Sequence, residues 1–150
     1  MIFKIKEIMN KRFQGHEKRT EQLFGKKFSD LSRSPETLEF YKSHLENTLH
    51  LPVLVEGIED FSWEEFYVLG PGNKREYEML KQTQPSYTDV FKIIKISSHV
   101  EIDYGLFAKL QRLSDGKRFE LPLMDLRTID LESEDYQLVE DYSIWFINYQ

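Results

Sequence analysis

The sequence predicts an α+β fold. A helical N-terminal region covers residues 1–50, and a small antiparallel SH3-like β-barrel body with a C-terminal helix covers residues 51–150. Three observations carry this. Apolar residues recur at helical spacing between Ser34 and Leu49. Short β-branched runs then alternate with turn residues. Near the C terminus an acidic run gives way to aromatics, again at helical spacing. At 150 residues the two regions read as one compact unit, large enough for a real core.

The clearest helix is SPETLEFYKSHLENTL. Ser34 is its cap, Pro35 suits the first helical position, and Glu36 favours the first turn. Leu38, Tyr41, Leu45 and Thr48 or Leu49 then mark one face, and Leu51-Pro52 ends it. Residues 1–33 are less regular. Ile2, Ile5, Ile8 and Met9 line one helical face, and Gly15 and Gly25 interrupt what reads as a loosely packed arm.

The body begins with VLVEGI (Val53–Ile58), a strand. NKREYEMLKQ (Asn73–Gln82) reads as a short helix before Pro85, and VFKIIKI (Val90–Ile96) as a second strand. LFAKLQRLSDGKRFELPL (Leu106–Leu123) is a hairpin, with Asp115-Gly116 between two apolar-rich arms. LRTI (Leu126–Ile129) is a last short strand. Short strands joined by tight turns favour a small barrel over a parallel sheet.

Charge is unevenly placed. Residues 1–50 carry +3 and residues 51–150 carry −9. An acidic body repels phosphate backbones, so no nucleic acid is expected as a partner; cations or basic protein surfaces suit it better. There is no cysteine, which removes disulfides and thiolate metal sites and fits a reducing compartment. Lys4, Lys6 and Glu7 interrupt the first apolar residues, so neither a signal peptide nor a membrane span is expected, and the cytoplasm is the expected location.

Six carboxylates fall within twelve residues: Asp130, Glu132, Glu134, Asp135, Glu140 and Asp141. An EF-hand loop starting at Asp130 fails on three counts. Asp135 stands where the sharp turn needs Gly, Gln137 where an apolar residue is usual, and Asp141 where a longer Glu should chelate through both oxygens. Two readings remain. The acids supply oxygens to a calcium ion outside the EF-hand plan. Alternatively, they are the wet face of a helix capped by Ser133, with Tyr136, Leu138, Val139 and Tyr142 turned inward.

A second acidic cluster, Glu59, Asp60, Glu64 and Glu65, surrounds Trp63. Paired carboxylates can serve acid–base catalysis, but nothing nearby supplies a nucleophile or an apolar pocket. His16, His44, His50 and His99 show no zinc spacing, and no nucleophile elbow is present, so the protein is not expected to be an enzyme. The stretch from Trp63 to Tyr87 mixes aromatic and basic residues and is the longest excursion from the barrel. It, or else the N-terminal helices, is the natural contact for a protein partner, should the chain be an interaction module with an SH3-like barrel and no metal.

From Leu51 onward the chain resembles the small bacterial calcium-binding proteins typified by cyanobacterial CcbP. The resemblance rests on Leu51-Pro52, VFKIIKI, LFAKLQRLSDGKRFELPLMDLRTID and the closing VEDYSIWF, in that order. It implies a compact barrel-like domain with an acidic calcium-binding surface, acting as a cytosolic buffer or sensor. It carries over onto Asp130, Glu140 and Asp141; Glu132, Glu134 and Asp135 join them on chemistry alone. The basic N-terminal third and the Trp63–Tyr87 insertion depart from that plan.

Overall fold

Local sequence places the helices. The computed structural model describes residues 15–150. Helix α1 (His16–Phe24) follows Gly15, and α2 (Pro35–Thr48) is capped by Ser34, whose hydroxyl accepts the Thr37 N–H at 3.1 Å while Thr37 bonds back to the Ser34 N–H. The anticipated helical face of Ile2, Ile5, Ile8 and Met9 lies outside the described residues. From Gly15 on, the described part of the anticipated loose arm is packed. Phe24 is buried among Phe28, Phe40, Tyr41 and Trp145, with ring centroids 5.3–5.9 Å apart.

Strands β1 (Val53–Gly57), β2 (Phe91–Glu101), β3 (Gly105–Arg112), β4 (Arg118–Pro122) and β5 (Leu126–Thr128) form one antiparallel sheet in the order β4-β3-β2-β1-β5. The Asp115-Gly116 turn joins β3 to β4 as expected, with Gly116 at φ 76°. Barrel closure of the SH3-like kind is not confirmed. Among the described residues β4 and β5 are the two edges and do not pair, so the sheet is open. Helices do part of the covering instead: α2 lies against β2, and α5 (Glu134–Asn148) against β5 and the 3₁₀ turn Leu123–Asp125 that precedes it.

Helix α5 begins where sequence placed it. The Ser133 hydroxyl accepts the Tyr136 N–H at 3.1 Å. Its inner face buries Tyr136, Val139, Tyr142, Trp145 and Phe146 in the common core. The Tyr142 hydroxyl accepts the Leu106 N–H at 2.8 Å. Gly105 sits beside it at φ 73°, where an added Cβ would collide with that hydroxyl and with the Phe146 ring.

Between β1 and β2 the chain makes a long excursion, through the 3₁₀ turn Ser62–Glu64, α3 (Glu65–Val68) and α4 (Lys74–Leu80). It is held at both ends. Near its start the buried Glu64 carboxylate accepts the Tyr87 N–H at 3.1 Å and the Phe61 N–H at 3.4 Å. Near its end the buried Arg112 guanidinium donates to the carbonyls of Lys81, Gln82 and Gln84 and to the carboxylates of Asp89 and Asp115, all within 2.8–3.1 Å. A buried guanidinium with every donor aimed at an acceptor fixes the backbone around it.

Candidate cation site

The acids of the tail take up separate duties. Asp141 is buried and receives a two-pronged ion pair from Arg19, with Nε at 2.7 Å and a terminal nitrogen at 2.9 Å. His16 Nδ1 adds a contact at 3.2 Å. That pairing holds the Arg19 guanidinium above its ordinary value. Asp135, in the first turn of α5, accepts the His50 backbone N–H at 3.0 Å and meets His50 Nδ1 at 3.1 Å, which raises the imidazole. Asp130 accepts the Glu132 N–H at 3.1 Å in a local turn. Glu132 and Glu134 are exposed, and Glu140 is half-buried. Among the described residues no three His, Asp or Glu side chains stand close enough to hold a metal ion as they are.

The second acidic cluster divides. Glu64 faces inward, where burial raises its carboxyl against the pull of its hydrogen bonds. Glu59, Asp60 and Glu65 remain at the surface and line a cavity of about 300 Å³ together with Asp125. Ile58, Met124 and Ile147 form apolar walls of the same cavity. The backbone explains the meeting. The Ile58 N–H donates to the Asp125 carbonyl at 3.0 Å, pinning the 3₁₀ turn to the residue after β1.

The charge state of this cavity differs from that of the tail. Asp125 is half-buried, and its carboxyl is pushed up by burial and then by the charge of Glu59. Among the described residues, Glu59, Asp60, Glu65 and Asp125 have no ion-pair or hydrogen-bond partner on their carboxylates. Four carboxylates on one concave surface without a counter-charge attract a cation. Asp125 escaped the sequence reading. Its only local signal is a lone acid between apolar residues in LPLMDL, and its neighbour Glu59 lies far back in the chain.

No protein-family model matches the chain, and no curated protein matches it by sequence. Two solved structures share the fold. One is CcbP from Anabaena, 13% identical, with a TM-score of 0.58 over 88% of this chain and 89% of that one. The other is a calcium binding protein in the calcium-binding form, 12% identical, with a TM-score of 0.56 over 89% of this chain and 90% of that one. A match of this extent is longer than residues 51–150 alone. The likeness therefore takes in part of the first 50 residues, which sequence had set apart from the plan.

Proposed function

We propose that the protein is a non-catalytic calcium-binding protein of the cytoplasm, and that its cation site is the cavity of Glu59, Asp60, Glu65 and Asp125. The observation that carries this reading is the set of carboxylates left without a counter-charge, one of them half-buried and raised. The shared fold with a protein caught in its calcium-binding form supports calcium as the ion. Calcium is a hard cation that takes six to eight oxygens in flexible geometry, so carboxylates on surface loops, backbone carbonyls and water can complete its shell. Glu59 and Glu65 are exposed and free to rotate toward it. Glu132, Glu134 and Glu140, with Asp130, add to the negative field that concentrates cations near the surface. Asp135 and Asp141 are committed to His50 and to Arg19 and His16.

Calorimetric titration of chelator-treated protein tests this, first with calcium and then with magnesium. Saturable calcium binding on the order of micromolar is expected, with magnesium much weaker because it dehydrates reluctantly. Asp125→Asn with Glu59→Gln should remove the heats, whereas Glu140→Gln with Asp135→Asn should leave them. The reverse pattern would move the site to the tail, and flat heats for the native chain would end the calcium reading.

A further inference from the structure

Three apolar side chains of α3 and its cap stay largely at the surface, although the Phe66 ring meets Tyr67 edge-on with centroids 5.1 Å apart. Phe66 is 55% exposed, Val68 39% and Leu69 79%. The surrounding aromatics are otherwise well packed. Trp63, Tyr67 and Tyr77 form a cluster with centroids 5.3–6.1 Å apart, and the Trp63 indole donates to the Pro85 carbonyl at 2.6 Å. The exposed trio is thus mounted on an ordered element anchored by Glu64 and Arg112, and a preformed surface spares a partner much of the ordering cost.

We propose that this face of the excursion docks a basic amphipathic segment of a partner protein. Charge selects that occupant. Glu65 opens α3 immediately before Phe66, and with Glu59, Asp60 and Asp125 it forms a negative rim without counter-charge among the described residues. The body beyond residue 50 carries −9. Apolar anchors on Phe66 and Leu69, with Lys or Arg reaching the rim, would satisfy both features. An anionic membrane would be repelled by the same rim. A second copy across a two-fold axis would bring rim against rim.

A regulatory consequence follows, and it rests on the calcium reading above. Glu65 belongs both to the cavity and to the helix that carries the apolar trio. Calcium in the cavity cancels the charge that draws the basic segment, so the two ligands oppose each other, and by linkage each weakens the other equally. The protein then acts as a sensor that lets go of its partner when calcium rises.

Fluorescence anisotropy on the full chain tests the docking, with a labelled Leu/Lys amphipathic peptide as probe and a Leu/Glu peptide of the same spacing as control. In chelator the Leu/Lys probe should bind and the Leu/Glu peptide should not. Phe66→Ser with Leu69→Ser should weaken the probe roughly tenfold. Ile102→Ser, an exposed apolar residue at the β2–β3 turn, should leave it unchanged. Thermal melts check that each variant folds, and Leu69→Ser alone serves if the double variant does not. Probe binding indifferent to Leu69, or equal loss on Ile102→Ser, overturns the docking surface. Flat calcium calorimetry with probe binding still dependent on Leu69 sinks the calcium reading and leaves the docking. Calcium heats with probe binding indifferent to Leu69 do the opposite.

Discussion

Asp125 and Asp141 are chemically alike and end in opposite electrostatic conditions. Asp141 is neutralised by Arg19 and braced by His16. Asp141→Asn should cost about 2 kcal/mol, because a charge-assisted hydrogen-bond pair is lost at a buried position; urea unfolding measures it. Asp125 has no such partner and a raised carboxyl. Its native pKa lies above its unfolded value, so its contribution to stability is fully present below about pH 4 and is lost as pH rises through the native value. At neutral pH it is a liability unless a cation is bound. Asp125→Asn should therefore raise the melting temperature of calcium-free protein at pH 7 and abolish the rise expected for the native chain on adding calcium. Thermal melts with and without chelator read both. Neither fate was legible in the sequence. The partner of Asp141 lies 122 residues away in a region read as loose, and the raised state of Asp125 depends on burial and on Glu59.

Elements were more legible than contacts, because their signals are local. Ser34-Pro35, Asp115-Gly116 and Ser133 each announce a cap or turn within a few residues, and each is found in that role. Strand β2 was foreseen only to Ile96. It runs on to Glu101 because a register shift between Ile96 and Val100 lets the polar Ser97, Ser98 and His99 pass without breaking the pairing to β3. Alternation cannot reveal such a bulge. The clamp on the excursion was equally hidden, since Glu64 looked like one acid of a surface cluster. Glu64→Ala should release the Phe61 and Tyr87 amides. Their hydrogen-exchange protection should fall, with a loss of about 1–3 kcal/mol in local or global stability.

At the scale of the molecule, the open sheet makes the helices part of the core. Phe24 from α1, Leu38, Tyr41 and Leu45 from α2, and Trp145 from α5 share one buried cluster with Ile93 and Leu106 from the strands. Phe24→Ala should cost about 3–5 kcal/mol, in a single unfolding transition seen alike by far-UV circular dichroism and tryptophan fluorescence. Two separated transitions would divide the chain near residue 50. The barrel expectation is not confirmed at this scale, since closure depends on whether two distant edges meet, and β4 and β5 carry no local mark of that. The Arg112 clamp has a further implication. Since Glu64 and Arg112 secure the two ends of the excursion, what lies between is held from its ends and adds no strand to the sheet. Residues 66–80 form an interchangeable cassette: descendants of this scaffold can rewrite them to suit new targets, and a designer can graft foreign recognition sequences there, while the cavity carboxylates and the framework beneath are inherited intact.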